Sequence, residues 1–184
     1  PPNFWQFNIN HSEGGADGNI LFYFYNGVAT PFNITEYNTN TFNDNIWHFA
    51  VATRYAEDGK IRVYVDGELI KEYFMGAGTL IIDSNIQLGE GVIDGREFGG
   101  LLDKLSIWDR ALSQSEIQSY MTTSPTGSET GLVGYWNLNE GSGTTVNDLT
   151  SNGNNGTING ASWSTDVSSS SYVLSGTPGS SDGG

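Results

Sequence analysis

Asp103 stands in a row of apolar side chains. If Leu101 to Trp108 is extended, period-two alternation sets Leu101, Asp103, Leu105 and Ile107 on one side. Asp148 lies further along, in a polar loop with Asn152 and Asn155. Carboxylate, amide and backbone carbonyl oxygens are the ligands a hard cation such as Ca²⁺ takes. Asp103, Asp148, Asn152 and Asn155 are therefore the candidate metal ligands, provided the fold brings the two aspartates together. The plain alternative gives Asp103 to a strand entry or to backbone N–H groups, and Asp148 with its asparagines to turn stabilisation. Asp83, Glu90 and Asp94 make a second, weaker acidic cluster of the kind that more often forms a solvated rim.

Sugar recognition needs an aromatic platform beside polar groups, because a ring covers the apolar face of a pyranose while amides, guanidinium groups and carboxylates bind its hydroxyls. Trp5, Tyr25 and Tyr64 are the ring candidates, with Arg62 and Arg96 as polar companions. Tyr23, Tyr37, Tyr55, Tyr73, Asn26 and Arg54 extend the same set. Each competes with a packing role, since most rings in sheet proteins are core.

Catalytic signals are poor. His11 and His48 are far apart, and His48 alternates with the apolar side of its segment, which makes a packed or hydrogen-bonded residue the default. Asp66 and Glu68 have the two-residue spacing of a strand-borne carboxylate pair but flank an Asp-Gly turn, where turn and solvent-facing roles are expected. Gly141-Ser142-Gly143 is followed by no Gly-Lys-Ser/Thr. These residues predict a binding protein, not an enzyme. Asn33-Ile34-Thr35 and Asn155-Gly156-Thr157 fit glycosylation sequons, relevant only in a source with that machinery.

Charge narrows the partners. Seven basic residues against twenty-one acidic ones give a net charge of -14, a field that repels a phosphate backbone and excludes nucleic acid as the expected partner. It also draws divalent cations. The absence of Cys removes disulfides and thiolate chemistry. No apolar run approaches the roughly 20 residues of a membrane-crossing helix. A start at Pro1, without Met or a signal stretch, suggests a trimmed piece of something longer.

Short alternating runs must position these groups. Phe4 to Ile9, Ile20 to Tyr25 and Trp47 to Tyr55 alternate as strands, the last with Trp47, Phe49, Val51, Thr53 and Tyr55 on one face. Lys60 to Tyr73 is the clearest hairpin: Ile61, Val63 and Val65 line one face before Asp66-Gly67 reverses the chain. With the Glu57-Asp58-Gly59 reversal before it, Trp47 to Tyr73 forms a three-stranded meander. Asn85 to Leu88, Leu101 to Trp108, Leu132 to Leu138, Thr157-Ile158 and Ala161 to Trp163 add further strands. One helix is predicted from Ser113, whose capping box with Glu116, staple of Leu112 on Ile117 and stripe of Ile117, Tyr120 and Met121 end near Met121. Crossover helices between strands are missing, which favours an antiparallel sandwich over a βαβ fold.

Five segments in order carry a resemblance: Ile46-Trp47-His48-Phe49-Ala50-Val51, Ile61 to Gly67, Ile86-Gln87-Leu88-Gly89, Phe98 to Trp108 and Ala111 to Ile117. Together they resemble the laminin-G-like, concanavalin-A-like domains of secreted multidomain proteins. The resemblance implies an all-β antiparallel β-sandwich of jelly-roll form, two curved sheets face to face with one short helix. It also implies a calcium ion, a polysaccharide or glycan or another extracellular protein as partner, and a secreted or cell-surface location. Gly131 to Gly143, with Asp148 and Gly153 to Gly156, looks like the opening of such a domain, yet it follows the closing strand. The expected domain is 1–167, with 131–167 either folding back as permuted strands or beginning a following repeat. Folding back is more economical, because an isolated strand pair would expose Trp136 and Trp163. Residues 168–184, rich in Ser and Gly, are expected to be a flexible tail.

Overall fold

The computed structural model describes residues 4–10, 19–25, 42, 44–74, 86, 88, 98–166 and 168, and side chains in all of these except 4–10 and 19–25. Every sheet among them is antiparallel. β1 (Phe4–Asn10) pairs with β2 (Asn19–Tyr25) in a seven-residue register from Phe4 opposite Tyr25 to Asn10 opposite Asn19. β3 (Ala50–Tyr55), β4 (Lys60–Val65) and β5 (Glu68–Phe74) form the meander, with β4 central. β6 (Leu105–Trp108) pairs with β7 (Leu132–Trp136), and β8 (Thr145–Val146) with β9 (Gly156–Thr157). The described residues thus give an all-β domain of small antiparallel sheets and one short helix, without strands that close into a barrel.

The Asp66-Gly67 turn forms as its residue types require: Asp66 has φ 52 and Gly67 φ 79, the left-handed pair of a tight primed turn. Asp66 also does more than reverse the chain. Its backbone N–H donates to Phe49 O at 2.9 Å, and its Oδ1 accepts the Phe49 N–H at 2.9 Å. A side chain therefore takes the place of a ladder partner at Phe49. This explains why β3 starts at Ala50 rather than at Trp47, where alternation alone would start it.

α1 (Gln114–Tyr120) is capped as expected, with Ser113 accepting from the Glu116 N–H and Glu116 accepting from the Ser113 N–H. It docks on the same turn: Gln114 and Gln118 both donate side-chain N–H groups to Gly67 O, at 3.0 and 3.3 Å. A Cβ at Gly67 would lie 2.8 Å from both Gln118 Cγ and Met121 Sδ, so the position is closed to other residues by strain and by space. Tyr64, Leu112 and Ile117 form the core beneath the helix, with Phe49, Val51, Trp108 and Tyr120 packed around them. Ile61, Val63 and Val65 are buried on the opposite face of β4.

Two departures matter for the site. Lys104 has φ 52, so the extended run expected over 101–108 is broken and β6 begins only at Leu105. That break uncouples Asp103 from the Leu105 and Ile107 parity. Leu138 has φ 54, which ends the Leu132 strand early, and Ala161 to Trp163 forms no strand. Ile86 and Leu88 are described and lie outside any strand, while the other residues of 85–88 fall outside the described set.

The segment after the helix lies against β6. Besides the β6–β7 ladder, Asp109 N–H donates to Gly131 O at 2.8 Å and Arg110 Nε to Thr130 O at 3.1 Å. Ser168, expected as the first tail residue, is buried and donates its N–H to Asp103 Oδ2 at 3.0 Å. Residues 167 and 169–184 fall outside the described set.

Ile117 is fully buried, so Ile117→Ala should lower unfolding free energy by about 2–5 kcal/mol in a urea titration. Leu149→Ala, at a position 44% exposed, should stay within about 0.5 kcal/mol.

Candidate functional site

Period two on β4 puts Lys60, Arg62 and Tyr64 on one face, and the register adds their neighbours. Tyr55 lies opposite Lys60, Thr53 opposite Arg62 and Val51 opposite Tyr64 on β3. On β5, Glu72 lies opposite Arg62 and Leu69 opposite Tyr64. α1 covers the Tyr64 end and stops there, so one face has an apolar covered end and a charged open end.

At the open end the Arg62 guanidinium lies over the Tyr55 ring, its Cζ 4.5 Å from the centroid. Arg62 Nη2 meets Asp58 Oδ2 at 2.6 Å and Nε meets Glu72 Oε2 at 2.7 Å. Lys60 Nζ bonds the other oxygen of Glu72, and the Lys60 N–H donates to Asp58 Oδ1 at 2.9 Å. Tyr55 Oη reaches Leu112 O at 3.4 Å, which holds the ring against the helix entry. The hydrogen bond from Arg62 keeps the Asp58 carboxyl below its usual range, and that from Lys60, then Arg62, does the same for Glu72. Both are carboxylates at neutral pH, able to accept hydroxyl hydrogen bonds and unable to supply the proton that glycoside cleavage requires.

The expected ligand residues divide. Arg62 stands in this patch with Tyr55. Tyr64, two residues on, is only 5% exposed under α1 and belongs to the core, so its ring offers no surface to a ligand. Trp5 faces Phe24 and Tyr25 faces Phe4 across the β1–β2 ladder, but their side chains lie outside the described set. Arg96 also falls outside it, as do His11, Asp83, Glu90 and Asp94. Asp58, Lys60 and Glu72 were missed as members of the patch. Their signal was the opposite charge of Lys60 and Arg62 against Glu72 across the Asp-Gly turn, but the β5 register was needed to align it. That register shifts between Val63 and Tyr64.

The expected metal ligands separate differently. Asp148, Asn152 and Asn155 share one loop. Asp148 Oδ1 accepts the N–H groups of Tyr135 (3.1 Å) and Thr150 (2.9 Å), while Oδ2 accepts Thr150 Oγ1 and the Asn154 N–H, both at 2.9 Å. Asn155 Oδ1 accepts the Asp148 N–H at 2.9 Å, and Asn152 Nδ2 donates to Val133 O at 2.9 Å. A carboxylate has about four acceptor positions, and four donors already fill them. Calcium takes about six to eight oxygens, so an ion would have to displace backbone donors here; these residues do not fit one. Asp103 takes Ser168 as its partner instead, with Lys104 Nζ 3.9 Å from the same carboxyl, and its buried Oδ1 has no hydrogen-bond partner. No group of three or more His, Cys, Asp or Glu suited to a metal occurs among the described residues.

Burial pushes the Asp148 carboxyl up, but the donors of Thr150, Tyr135 and Asn154 outweigh it and leave it below its ordinary value. A depressed folded pKa gives stability that is present above the unfolded value of about 3.9 and is lost as pH falls through the folded one.

The concanavalin A-like lectin/glucanases superfamily, in its laminin G form, matches residues 2–118. Two curated relatives, both named Sushi, von Willebrand factor type A, EGF and pentraxin domain-containing protein 1, align over 135 residues. The Rattus norvegicus protein is 32% identical and the Mus musculus protein 31%. The alignment takes in 67% of this chain but only 4% of each relative's length. A solved structure from Bacteroides ovatus, of a protein provisionally described as carbohydrate binding, superimposes with a TM-score of 0.57 at 19% identity. That superposition covers 74% of this chain and 39% of the other, and it is a likeness of fold.

Asp148→Asn should destabilise the protein by about 1–3 kcal/mol, because an amide oxygen cannot receive all four donors and its NH₂ would face N–H groups. Adding calcium to EDTA-treated unmutated protein should leave the amide NMR resonances of Tyr135, Thr150 and Asn154 in place. Calcium-dependent shifts at those three amides would overturn the assignment of Asp148 as a metal-free hydrogen-bond centre.

Proposed function

Because the chain belongs to the laminin G/concanavalin A-like lectin/glucanase superfamily, we propose that it is a non-catalytic extracellular glycan-binding or adhesion module whose contact face is the open end of the β3–β4–β5 sheet. The superfamily match across residues 2–118 carries the reading, and the description of the Bacteroides ovatus protein supports it. The patch supplies the required chemistry. The Arg62 plane, stacked on Tyr55, offers a flat cationic surface at its accessible edge, and Asp58 and Glu72 offer ionised acceptors for sugar hydroxyls.

The ligand class follows from charge. Each cation of the patch already faces a carboxylate, and the whole chain carries a net charge of -14. An uncharged polysaccharide meets no repulsion at such a surface, whereas a polyanion does. We take residues 1–167 as one sandwich closed in jelly-roll form, with 131–167 returning to supply strands; the β6–β7 ladder and the Asp109–Gly131 bond support that order. Secretion or display at a cell surface accords with the superfamily, and no helix of the described residues is long and apolar enough to cross a membrane.

A protein partner without sugar binding is the second reading. It is favoured by the internal pairing of Arg62 and Lys60, which a sugar would have to loosen, and by the multidomain names of the curated relatives. A glycan array with and without EDTA separates the two. The glycan reading expects retention of at least one neutral polysaccharide in EDTA, weakened at least about tenfold, or about 1.4 kcal/mol, by Tyr55→Ala or Arg62→Ala. Silence across the array would transfer the proposal to the protein partner.

A further inference from the structure

The Asp66-Gly67 turn meets the chain entering β3 through an imidazole that has a carboxylate on each side. His48 Nδ1 lies 2.8 Å from Asp66 Oδ2, and Nε2 lies 3.1 Å from Asp44 Oδ1. The ring is 13% exposed, with the Phe42 ring set edge-on at 5.1 Å. A neutral imidazole has one N–H and one lone pair. In either tautomer, one nitrogen would then aim its lone pair at a carboxylate oxygen. Only the imidazolium donates to both.

We propose that His48 serves as a pH-sensitive latch, fastening residues 44–49 to the β4–β5 turn when protonated and releasing the Asp44 arm when it loses its second proton. Asp44 is the arm that yields. Its contact is the longer of the two, and its side chain is 41% exposed against 20% for Asp66. Asp66 is also held by the Phe49 N–H at 2.9 Å, whereas the backbone donors to Asp44 among the described residues come from its own turn, the Ile46 N–H at 3.2 Å and its own N–H.

Among the described residues, the charged groups facing the imidazole are Asp44 from its own segment and Asp66 from the turn. Phe42 contributes only a ring edge, and α1 brings the neutral amides of Gln114 and Gln118 to the adjoining Gly67 carbonyl. Burial pulls the His48 pKa down, but the bonds to Asp66 and then Asp44 outweigh it and raise it above 6.5. A raised folded pKa places the added stability below the unfolded value and removes it as pH rises through the folded one. The latch therefore tightens in acid and loosens in base, the reverse of a device that opens on acidification.

NMR titration of the intact chain tests this, since it has only two histidines. The His48 resonances, assigned by their loss in His48→Gln, should titrate above 6.5, and Asp44→Asn should move that midpoint down while leaving His11 in place. The excess thermal stability of the unmutated protein over His48→Gln should be largest near about pH 5 and shrink toward about pH 9. If His48→Gln fails to fold, the resonance that responds to Asp44→Asn identifies His48. A His48 midpoint at or below 6.5, or two imidazole midpoints both indifferent to Asp44→Asn, would overturn the latch.

Discussion

The Asp66-Gly67 turn joins four pieces of chain within two residues. Its backbone and Oδ1 hold Phe49 at the entry to β3, its Oδ2 holds His48, and its Gly67 carbonyl receives Gln114 and Gln118 from α1. The bonds to the Asp66 carboxylate contribute about 1.5–3 kcal/mol each and those to the neutral carbonyls about 0.5–1.5 kcal/mol. Docking α1 here fixes which end of the sheet face is covered. Tyr64, Leu112 and Ile117 pack beneath the helix so docked.

The proposed recognition surface follows from where that cover ends. Tyr64 and Arg62 are two residues apart on one face of β4, yet the first is core and the second carries the half-buried stack on Tyr55. Cross-strand ion pairs keep the uncovered end polar without leaving an unpaired charge, a way to hold a sheet face open to solvent. The same pairing holds the carboxylates ionised, which suits hydrogen-bond acceptance and not acid catalysis. Fold stability and the proposed binding chemistry thus occupy opposite ends of one short face.

Local chemistry in the sequence was enough for the meander and the helix. Asp-Gly specified a left-handed turn, and Ser113 with Glu116 specified a capped start, because both depend on residues a few positions apart. Lys104 and Leu138 were opaque: neither residue type favours positive φ, and tertiary packing imposes it. The kink at Lys104 undid the alternation that had made Asp103 look like a ligand aimed from an apolar row. Asp148 misled for a related reason. Its carboxylate and asparagine neighbours have the composition of a cation site, but its donors come from Tyr135, thirteen residues away, and from backbone N–H groups that composition does not display. Asp66 was legible as a turn residue and not as the partner of His48, since that contact spans eighteen residues.

Native-state hydrogen exchange in an Asp66→Ala variant probes the organising role of the turn most directly, with the amides of Phe49 and Ile117 as reporters. If the turn couples the β3 entry to the helix, protection should fall together at Phe49, which bonds Asp66, and at Ile117, which does not. Loss confined to Phe49, with Ile117 protected as before, would contradict it and leave the helix held by its apolar contacts alone.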